Sequence, residues 1–378
     1  MSGFDVVVVG GGLVGTACAF ELAGEGARVA VCDAHHAGRA TDAGAGILSP
    51  ETLAWPGSPM LDLADRAGTH YRTLLAELAD LGAPDPGYAV CGSVCLGVGD
   101  GDAAHYAHTR RVAFERHGDV VHDLSLEDAH RRFPLLGDVR AAFANPRAAR
   151  VDGRAITAAL EHGARERGVV WRVAQVAAVD VDGGRARGVR VGDEIVASDA
   201  VVIAGGAWTP ELAAPLGIRA GVRPFRGQIA HVGFGAGAGT GANTGADTGA
   251  WPILQSSESY VVPWPGGRLA IGATFEDVGF DLRATVGGIA TLFADGVRLA
   301  PALADATFLE VRVGLRPVSD DLLPILGAVP GVGGLYLDTG HGPEGLLLGP
   351  VSGRLVARLV CGRDPGFDLA PFSPARLA

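Results

Sequence analysis

Residues 4–33 alternate between an apolar strand, a glycine-rich turn, a helical segment and a second apolar strand. The turn carries the motif G-x-G-x-x-G at Gly10, Gly12 and Gly15, directly after the apolar run 4–9. In a βαβ unit the first glycine permits the tight turn, the second lets a pyrophosphate approach the backbone, and the third lets the helix pack closely on the strand. The pattern therefore predicts a dinucleotide site at a helix N-terminus, where unpaired N–H groups and the helix dipole favour an anion.

Asp33 ends the second strand of this unit. In dinucleotide-binding folds, an acidic side chain roughly 20 residues beyond the glycine motif accepts hydrogen bonds from a ribose diol. A purely structural glycine-rich turn does not explain an acid at this position. Strand, turn, helix, strand and acid thus follow one another in the order of a Rossmann unit.

Residues 39–48 favour FAD over NAD as the dinucleotide. An NAD dehydrogenase continues into a second nucleotide-binding half, and no such half follows here. The segment instead reads Arg-Ala-Thr-Asp-Ala-Gly-Ala-Gly-Ile-Leu. Its small side chains suit a chain that passes close beneath a bulky ring system.

The charge balance excludes several classes of function. The chain has 378 residues and a formal net charge of −11, and all 31 basic residues are arginine. Without lysine, Schiff-base chemistry on a protein amine is excluded, and an acidic chain is a poor partner for nucleic acid. No run approaches the roughly 18 apolar residues of a membrane span, and no basic segment marks a signal peptide. We therefore expect a cytoplasmic protein, with oligomerisation left open.

The five cysteines are an odd number without a C-x-x-C pair. Cys91 and Cys95 suit a redox or metal pair only weakly, because residues at i and i+4 of a strand share a face and small apolar side chains are common there. The sequence therefore predicts no metal site and disfavours a dithiol flavoenzyme.

The remaining patterns predict an α/β fold class. Helices are predicted at 58–82, at 125–133 with Ser125 as its cap, and at 152–168 with Asp152 at its start. Strands are predicted at 88–98, 169–181, 185–191, 201–204, 222–234 and 259–275. A C-terminal unit follows, with a strand at 335–338, a turn at 340–345 and a helix at about 351–361. The segment Gly235–Ala250 is rich in Gly, Ala and Thr and is predicted to be a flexible excursion rather than a substrate lid.

The cofactor-type motifs occur in three separated stretches of the chain. We therefore predict a discontinuous Rossmann-type FAD-binding domain, formed by residues 1–85, 150–216 and 311–378. The strand-rich segments between them, 86–149 and 217–310, are predicted to form a second α+β domain, a substrate domain built on an antiparallel sheet.

Several motifs, in order along the whole chain, resemble those of the D-amino acid oxidase superfamily of FAD enzymes, and the glycine oxidases most closely. They are residues 10–15, 39–48, 150–152, 201–208, 259–263, 272–274, 314–317, 323–327 and 340–348. The resemblance implies flavin contacts at Leu13, Val14, Asp33, Ala34, Ala40, Thr41, Ala45, Gly46 and Ile47. It also implies that the backbone of Val176 meets the adenine, and that a turn along the isoalloxazine contains His341, Gly342, Gly345, Leu346 and Leu347. Binding is expected to be non-covalent, since no Cys or His stands in a flavinylation context.

The same resemblance implies that Arg316 holds a substrate carboxylate and that Tyr260 adds a hydroxyl. A guanidinium fork binds a carboxylate through two parallel hydrogen bonds and so orients the Cα–H toward the flavin. The alternative for Arg316 is an interdomain salt bridge, and the alternative for Tyr260 is ordinary core packing.

The implied reaction is FAD-dependent oxidation of the Cα–N bond of a small amino acid, of the glycine or D-amino acid type. Hydride transfer gives an imino acid that water hydrolyses to a keto acid, and oxygen, a quinone or another electron carrier reoxidises the flavin. Two alternatives stay open: a secondary-amine dehydrogenase or oxidase of the sarcosine or proline type, perhaps within a complex, and a flavin-binding subunit without turnover. Glycine oxidases carry an Arg where Pro343 stands, before Glu344, and usually a Ser at Asp42, which weakens the transfer of glycine specificity.

Overall fold

The computed structural model describes residues 3–53, 59–234 and 248–377. Most of the glycine-rich segment Gly235–Ala250 lies outside these ranges, so its predicted role as a flexible excursion also lies outside the described residues. Its last three residues, Thr248–Ala250, form a short 3₁₀ turn.

The helices of the described residues are α1 (Leu13–Gly24), α2 (Ala40–Ala43), α3 (Pro59–Asp80), α4 (Ala103–His117), α5 (Leu126–Arg132), α6 (Gly153–Glu166), α7 (Thr209–Ala213), α8 (Val286–Leu299) and α9 (Gly345–Val360). The predicted caps are present on two of them. Ser125 Oγ accepts the backbone N–H of Asp128 at the start of α5, and Asp152 Oδ1 accepts those of Arg154 and Ala155 at the start of α6.

The strands are β1 (Phe4–Val9), β2 (Val29–Asp33), β3 (Ile47–Leu48), β4 (Ala89–Val90), β5 (Ser93–Gly97), β6 (His122–Asp123), β7 (Ala141–Asn145), β8 (Ala149–Arg150), β9 (Val170–Val173), β10 (Val176–Asp182), β11 (Arg185–Val191), β12 (Glu194–Ile203), β13 (Val222–Gly233), β14 (Ile253–Gln255), β15 (Tyr260–Pro263), β16 (Arg268–Gly272), β17 (Thr307–Ser319), β18 (Ile325–Ala328) and β19 (Leu335–Thr339). They form two eight-stranded sheets and a small three-stranded sheet of β3, β8 and β4.

The first sheet is Rossmann-like. Strands β9, β2, β1, β12 and β19 lie parallel in that order, and β18 pairs antiparallel with β19. The first half of β12 instead continues into an antiparallel meander with β11 and β10. Val6 and Val8 face one apolar core while Val7 and Val9 face another, as expected for a central strand buried on both sides.

The predicted single strand 169–181 is wrong, because the structure divides it between two positions in this sheet. β9 pairs with β2 at the edge of the parallel part, and β10 pairs with β11 in the meander. The break follows Ala174, whose backbone N–H still bonds Asp33 O at 2.9 Å. Apolar alternation runs through both strands and does not show where the chain changes its neighbour.

The second sheet has the order β17-β13-β16-β15-β14-β5-β7-β6. Its pairs are antiparallel except for β14 and β5, which run parallel. One face packs against apolar side chains of α5 and α8. The other face carries Ile229, Val262 and Trp264, which pack with Ala45 from the segment after β2. The predicted fold class, a Rossmann-type FAD domain with an antiparallel-sheet partner, is confirmed, while the division at given residues stays a prediction.

The last helix starts earlier than predicted, at Gly345 instead of about Val351. Pro350 lies inside α9 and has no N–H for the carbonyl of Leu346, one turn earlier. The hydroxyl of Tyr71 on α3 donates to that carbonyl at 2.5 Å instead. A side chain some 275 positions away in sequence therefore supports a helix turn that local rules assign to a loop. Among the described helices, none is long and apolar enough to cross a membrane.

Candidate active site

A cavity of about 550 Å³ is lined by residues from both large sheets. It starts at the carboxyl ends of β1 and β2, which is where open α/β sheets bind their ligands. It then follows the small-residue segment 39–49 and reaches Tyr260 and Arg316 of the second sheet. The cavity thus joins a dinucleotide-type end to a substrate-type end.

The glycine motif has the geometry that its spacing predicts. Gly10 has φ +109°, and a Cβ there would collide with the carbonyl oxygen of Ala204. A Cβ on Gly12 would meet only Thr41 Oγ1, at 3.4 Å, so the backbone here opens toward the cavity. The same hydroxyl accepts the N–H of Leu13 at the start of α1. The backbone is therefore shaped to receive a pyrophosphate.

Almost all of the predicted cofactor residues line this cavity. These are Gly10, Gly12, Leu13, Val14, Asp33, Ala34, Ala40, Thr41, Ala45, Gly46, Ile47, Val176, His341, Gly342, Gly345 and Leu346. Two others do not. A Cβ on Gly15 would collide with the carbonyl oxygen of Gly10, so this glycine allows helix and strand to approach, and Leu347 is buried in the core behind the turn.

Asp33 lies in a polar cluster at the end of β2. Its Oδ2 is 3.1 Å from a guanidinium nitrogen of Arg39 and 3.3 Å from His35 Nδ1. Arg39 also donates to Asp42, at 3.0 Å, so the acid that replaces the usual Ser helps to position Arg39. Beside this cluster, His36 stacks on Trp208 with ring centroids 4.7 Å apart. Both rings line the cavity, and no sequence motif pointed to His36.

The turn after β19 brings together polar side chains that are buried in the protein. His341 Nε2 lies 2.8 Å from Ser352 Oγ and 3.6 Å from Asp338 Oδ1. Burial lowers the pKa of His341 to about 3 and raises the pKa of Asp338 to about 8. The imidazole and, below about pH 8, the carboxyl are therefore both neutral behind the cofactor end of the cavity.

Strand register places the substrate-end residues on one face of the second sheet. Directly opposite residues share a face, and Gln255, Tyr260, Gly272 and Ile229 are opposite one another across β14, β15, β16 and β13. On the neighbouring pair β13–β17, Ile229 is opposite Arg312, and four positions further along β17 lies Arg316. Because side chains alternate, Arg316 lies on the same face as Tyr260.

Two glycines let these side chains approach each other. A Cβ on Gly227 would collide with the guanidinium of Arg316, and a Cβ on Gly272 would collide with the ring of Tyr260. Arg316 therefore leans over β13 and Tyr260 leans over β16, which are neighbouring strands. The guanidinium and the hydroxyl converge from opposite sides.

The electrostatics suit recognition of a carboxylate. Arg316 donates to Thr274 O at 2.8 Å and lies 5.4 Å from the Phe275 ring, and it forms no ion pair within the described residues. Burial lowers the pKa of Arg316, while Tyr260 and Glu344 raise it. Burial raises the pKa of Tyr260 to about 12, so the phenol keeps its proton and can donate a hydrogen bond near neutral pH.

The five cysteines are free thiols. In the part of the chain that the structure describes, no group of three His, Cys, Asp or Glu side chains could hold a metal ion.

The parallel sheet, the glycine turn and the two-ended cavity define a dinucleotide-dependent oxidoreductase. The chain belongs to the DAO family of FAD-dependent oxidoreductases, whose sequence model matches residues 5–359, and FAD is its cofactor. It is 36% identical to the uncharacterized oxidoreductase YurR of Bacillus subtilis and 34% identical to a glycine oxidase of Pseudomonas aeruginosa, over 98% of each chain. The structure of iminodiacetate oxidase from Chelativorans sp. BNC1 is similar with a TM-score of 0.90 at 33% identity, over 98% of both chains.

Proposed function

We propose that this protein oxidises the Cα–N bond of a small amino acid. The observation that carries the proposal is the convergence of Arg316 and Tyr260 over Gly227 and Gly272, inside the cavity that also contains the dinucleotide turn. A guanidinium fork and a neutral phenol together make a receptor for one carboxylate. An amine without a carboxylate would offer no acceptor to these two hydrogen-bond donors.

The protein's part in the reaction is to bind and orient the substrate. Arg316 anchors the carboxylate, Tyr260 donates to it, and the two contacts fix which face of Cα points toward the turn at His341. Bound FAD supplies the acceptor for the hydride that leaves Cα. Correct alignment is worth a large factor in rate, since a misplacement of about 1 Å costs on the order of 10²-fold. Water then hydrolyses the released imino acid to a keto acid and ammonia.

The related proteins support this proposal from a second direction. Glycine and iminodiacetate, in the names of the similar oxidases, both carry a carboxylate on the carbon next to nitrogen. Iminodiacetate is in addition a secondary amine. Oxidation of a secondary amino acid is therefore the second candidate, and it uses the same carboxylate receptor.

Anaerobic mixing of the holoenzyme with matched substrates tests the proposal. We expect amino acids to bleach the flavin absorbance and the corresponding amines without a carboxylate to leave it unchanged. A panel of glycine, sarcosine, proline and both enantiomers of alanine separates primary from secondary amino acids. Admission of air then shows whether oxygen reoxidises the flavin or another carrier is required. A flavin that no amino acid or amine bleaches would favour a binding subunit without turnover.

The state of the cofactor is tested on the same sample. No cysteine or histidine is predicted to be bonded to the flavin, so acid precipitation should release all of the yellow colour into the supernatant. Colour that stays with the pellet would contradict non-covalent binding.

A further inference from the structure

We propose that Gln255 is a specificity-determining residue whose amide N–H₂ donates to a second oxygen of the substrate, beyond the α-carboxylate. The inference rests on the proposed amino acid oxidation and names the class of substrate. That class is a small amino acid with a hydroxyl, carbonyl or carboxylate oxygen on its side chain or N-substituent.

Gln255 lies where the distal end of such a substrate would be. It is directly opposite Tyr260 in the β14–β15 pair, on the same face, and it lines the cavity. Arg316 approaches from the β17 side of the sheet, so Tyr260 stands between the two. A substrate held by Arg316 and Tyr260 therefore has Gln255 at its far end.

A buried hydrogen-bond relay sets the orientation of the Gln255 amide, and it begins at Asn145. This side chain is fully buried, and its Oδ1 accepts the backbone N–H of Arg147 at 3.0 Å. Its Nδ2 must therefore be the group that lies 3.0 Å from both Ser49 Oγ and Glu51 Oε2. Since an amide nitrogen only donates, Ser49 Oγ accepts at this contact.

The relay then continues toward the cavity. Ser49 Oγ lies 2.6 Å from Thr52 Oγ1, a contact in which either hydroxyl can donate. Among the described residues, Thr52 Oγ1 is the acceptor within reach of the Ser49 proton, so we infer that Ser49 donates here. The Thr52 proton is left for Gln255 Oε1 or the Ser49 carbonyl, each at 3.3 Å. The thiol of Cys95 also points at Gln255 Oε1, at 3.9 Å.

This arrangement uses the oxygen of the Gln255 amide and leaves its nitrogen for the cavity. Within the described residues, no hydrogen bond joins Nε2 to the protein, whereas Oε1 lies within reach of two donor groups, the Thr52 hydroxyl and the Cys95 thiol. An oxygen on the substrate completes the amide's hydrogen bonds. A methyl group in the same place leaves a donor unpaired, which is how a site rejects an alkyl analogue.

The experiment compares kcat/KM for substrate pairs in which one member carries a distal oxygen-bearing group and the other an alkyl group in its place. Serine and 2-aminobutyrate, as both enantiomers, have nearly the same shape, and iminodiacetate is compared with N-propylglycine. For the wild-type holoenzyme we expect a preference of about tenfold or more for the oxygen-bearing member of at least one pair. Gln255→Leu should bring that ratio close to one, whatever the change in absolute rate.

Two further variants test the relay and the amide without a change of shape. Gln255→Glu replaces the donor by an acceptor and should invert the preference for iminodiacetate, because two carboxylates then face each other. Thr52→Val removes the hydroxyl that holds Oε1 and should reduce the preference partly. Thr291→Val, on the exposed side of α8, is the matched control and should keep the wild-type ratio. The flavin spectrum and melting temperature of each variant show that it is folded.

The outcomes separate this inference from the proposed function. Oxidation of amino acids without preference within either pair, or an unchanged ratio in Gln255→Leu or Gln255→Glu, overturns the role of Gln255 and leaves the proposed function intact. If the wild type oxidises no amino acid or amine, the proposed function fails and the role of Gln255 fails with it.

Discussion

Glycines at the cofactor end of the cavity make room for backbone atoms, whereas glycines at the substrate end make room for side chains. At the cofactor end, a side chain on Gly10 or Gly15 would strike backbone carbonyl oxygens, which belong to neighbouring elements of the same sheet and turn. At the substrate end, a side chain on Gly227 or Gly272 would strike the guanidinium of Arg316 or the ring of Tyr260. Backbone in a packed sheet cannot move aside, whereas the end of a side chain can.

The difference separates what the fold requires from what the substrate requires. The cofactor end is fixed by the path of the chain, so changes there should cost the fold and the flavin together. The substrate end is fixed by the placement of side chains on a sheet that is already formed. Changes there should alter recognition and leave the fold and the flavin in place.

Gly10→Ala should have the largest effect, because it combines a left-handed φ of +109° with a collision against Ala204 O. We expect the free energy of unfolding to fall by about 3 kcal/mol and the FAD to be lost during gel filtration. Gly287→Ala, in the first turn of α8, is the control, because no atom lies within 4 Å of the added carbon and its stability should change little. A yellow, normally stable Gly10→Ala protein would remove the distinction between the two ends.

Arg316→Ala should abolish turnover of amino acids while FAD stays bound. The loss combines a charge-assisted hydrogen-bond pair, worth about 1.5–3 kcal/mol, with misalignment that costs on the order of 10²-fold in rate. Arg316→Lys should recover little, since an ammonium is a point charge and not a planar fork. Steady-state kinetics, the flavin spectrum and the melting temperature together distinguish a role of Arg316 in substrate binding from a structural role. Near-normal activity on every wild-type substrate would favour an amine without a carboxylate, and flavin loss with unchanged KM would favour a purely structural role for Arg316.

Gly227→Ala tests the substrate end without removing any functional group. The added methyl occupies the place of the Arg316 guanidinium, which must swing away, so we expect kcat/KM for amino acids to fall by roughly 10- to 100-fold. Stability should change by less than about 1 kcal/mol, because only the end of a flexible side chain yields. Gly233→Ala, at the last residue of β13, places its methyl against Leu309 instead and is the control. If Gly227→Ala loses its flavin as Gly10→Ala does, the two ends are not separable.

Asp338→Asn should have the smallest effect, visible as a change in the pH dependence of stability. Burial raises the pKa of this carboxyl to about 8, so folding favours its neutral form. Its contribution is complete below the pKa of the unfolded chain, near 4, and is lost as pH rises through about 8. We therefore expect the stability advantage of Asp338→Asn over the wild type to grow by about 2 kcal/mol from pH 5 to pH 6.5.

Thermal or urea unfolding of the holoenzyme at the two pH values measures this gap. Asp193→Asn, at an exposed turn, is the control and should show no such growth. A pH-independent difference between Asp338→Asn and the wild type would mean that Asp338 is ionised in the folded protein.

The sequence predicted the conformation of the first strand, turn and helix, because the signals for them are local. The strand, the turn at Gly10–Gly15 and the start of α1 are contiguous, and their geometry depends on neighbours a few residues away. Local rules also located the caps at Ser125 and Asp152. They failed for α9, where Tyr71 of another helix supplies the hydrogen bond that Pro350 cannot.

At the substrate end, the sequence predicted less and the pairing of distant strands decided more. The sequence identified Arg316 and Tyr260 through a family resemblance, but it contained no signal for Gln255 or for the glycine at 227 that lies beneath Arg316. Which side chains share a face depends on strand register, and a slip of one residue would turn each strand's set to the other side. The sequence by itself therefore determined the dinucleotide turn, the fold class and the family. Only the tertiary structure decided which distant side chains meet in the cavity, because that choice is made by pairing between strands far apart in the chain.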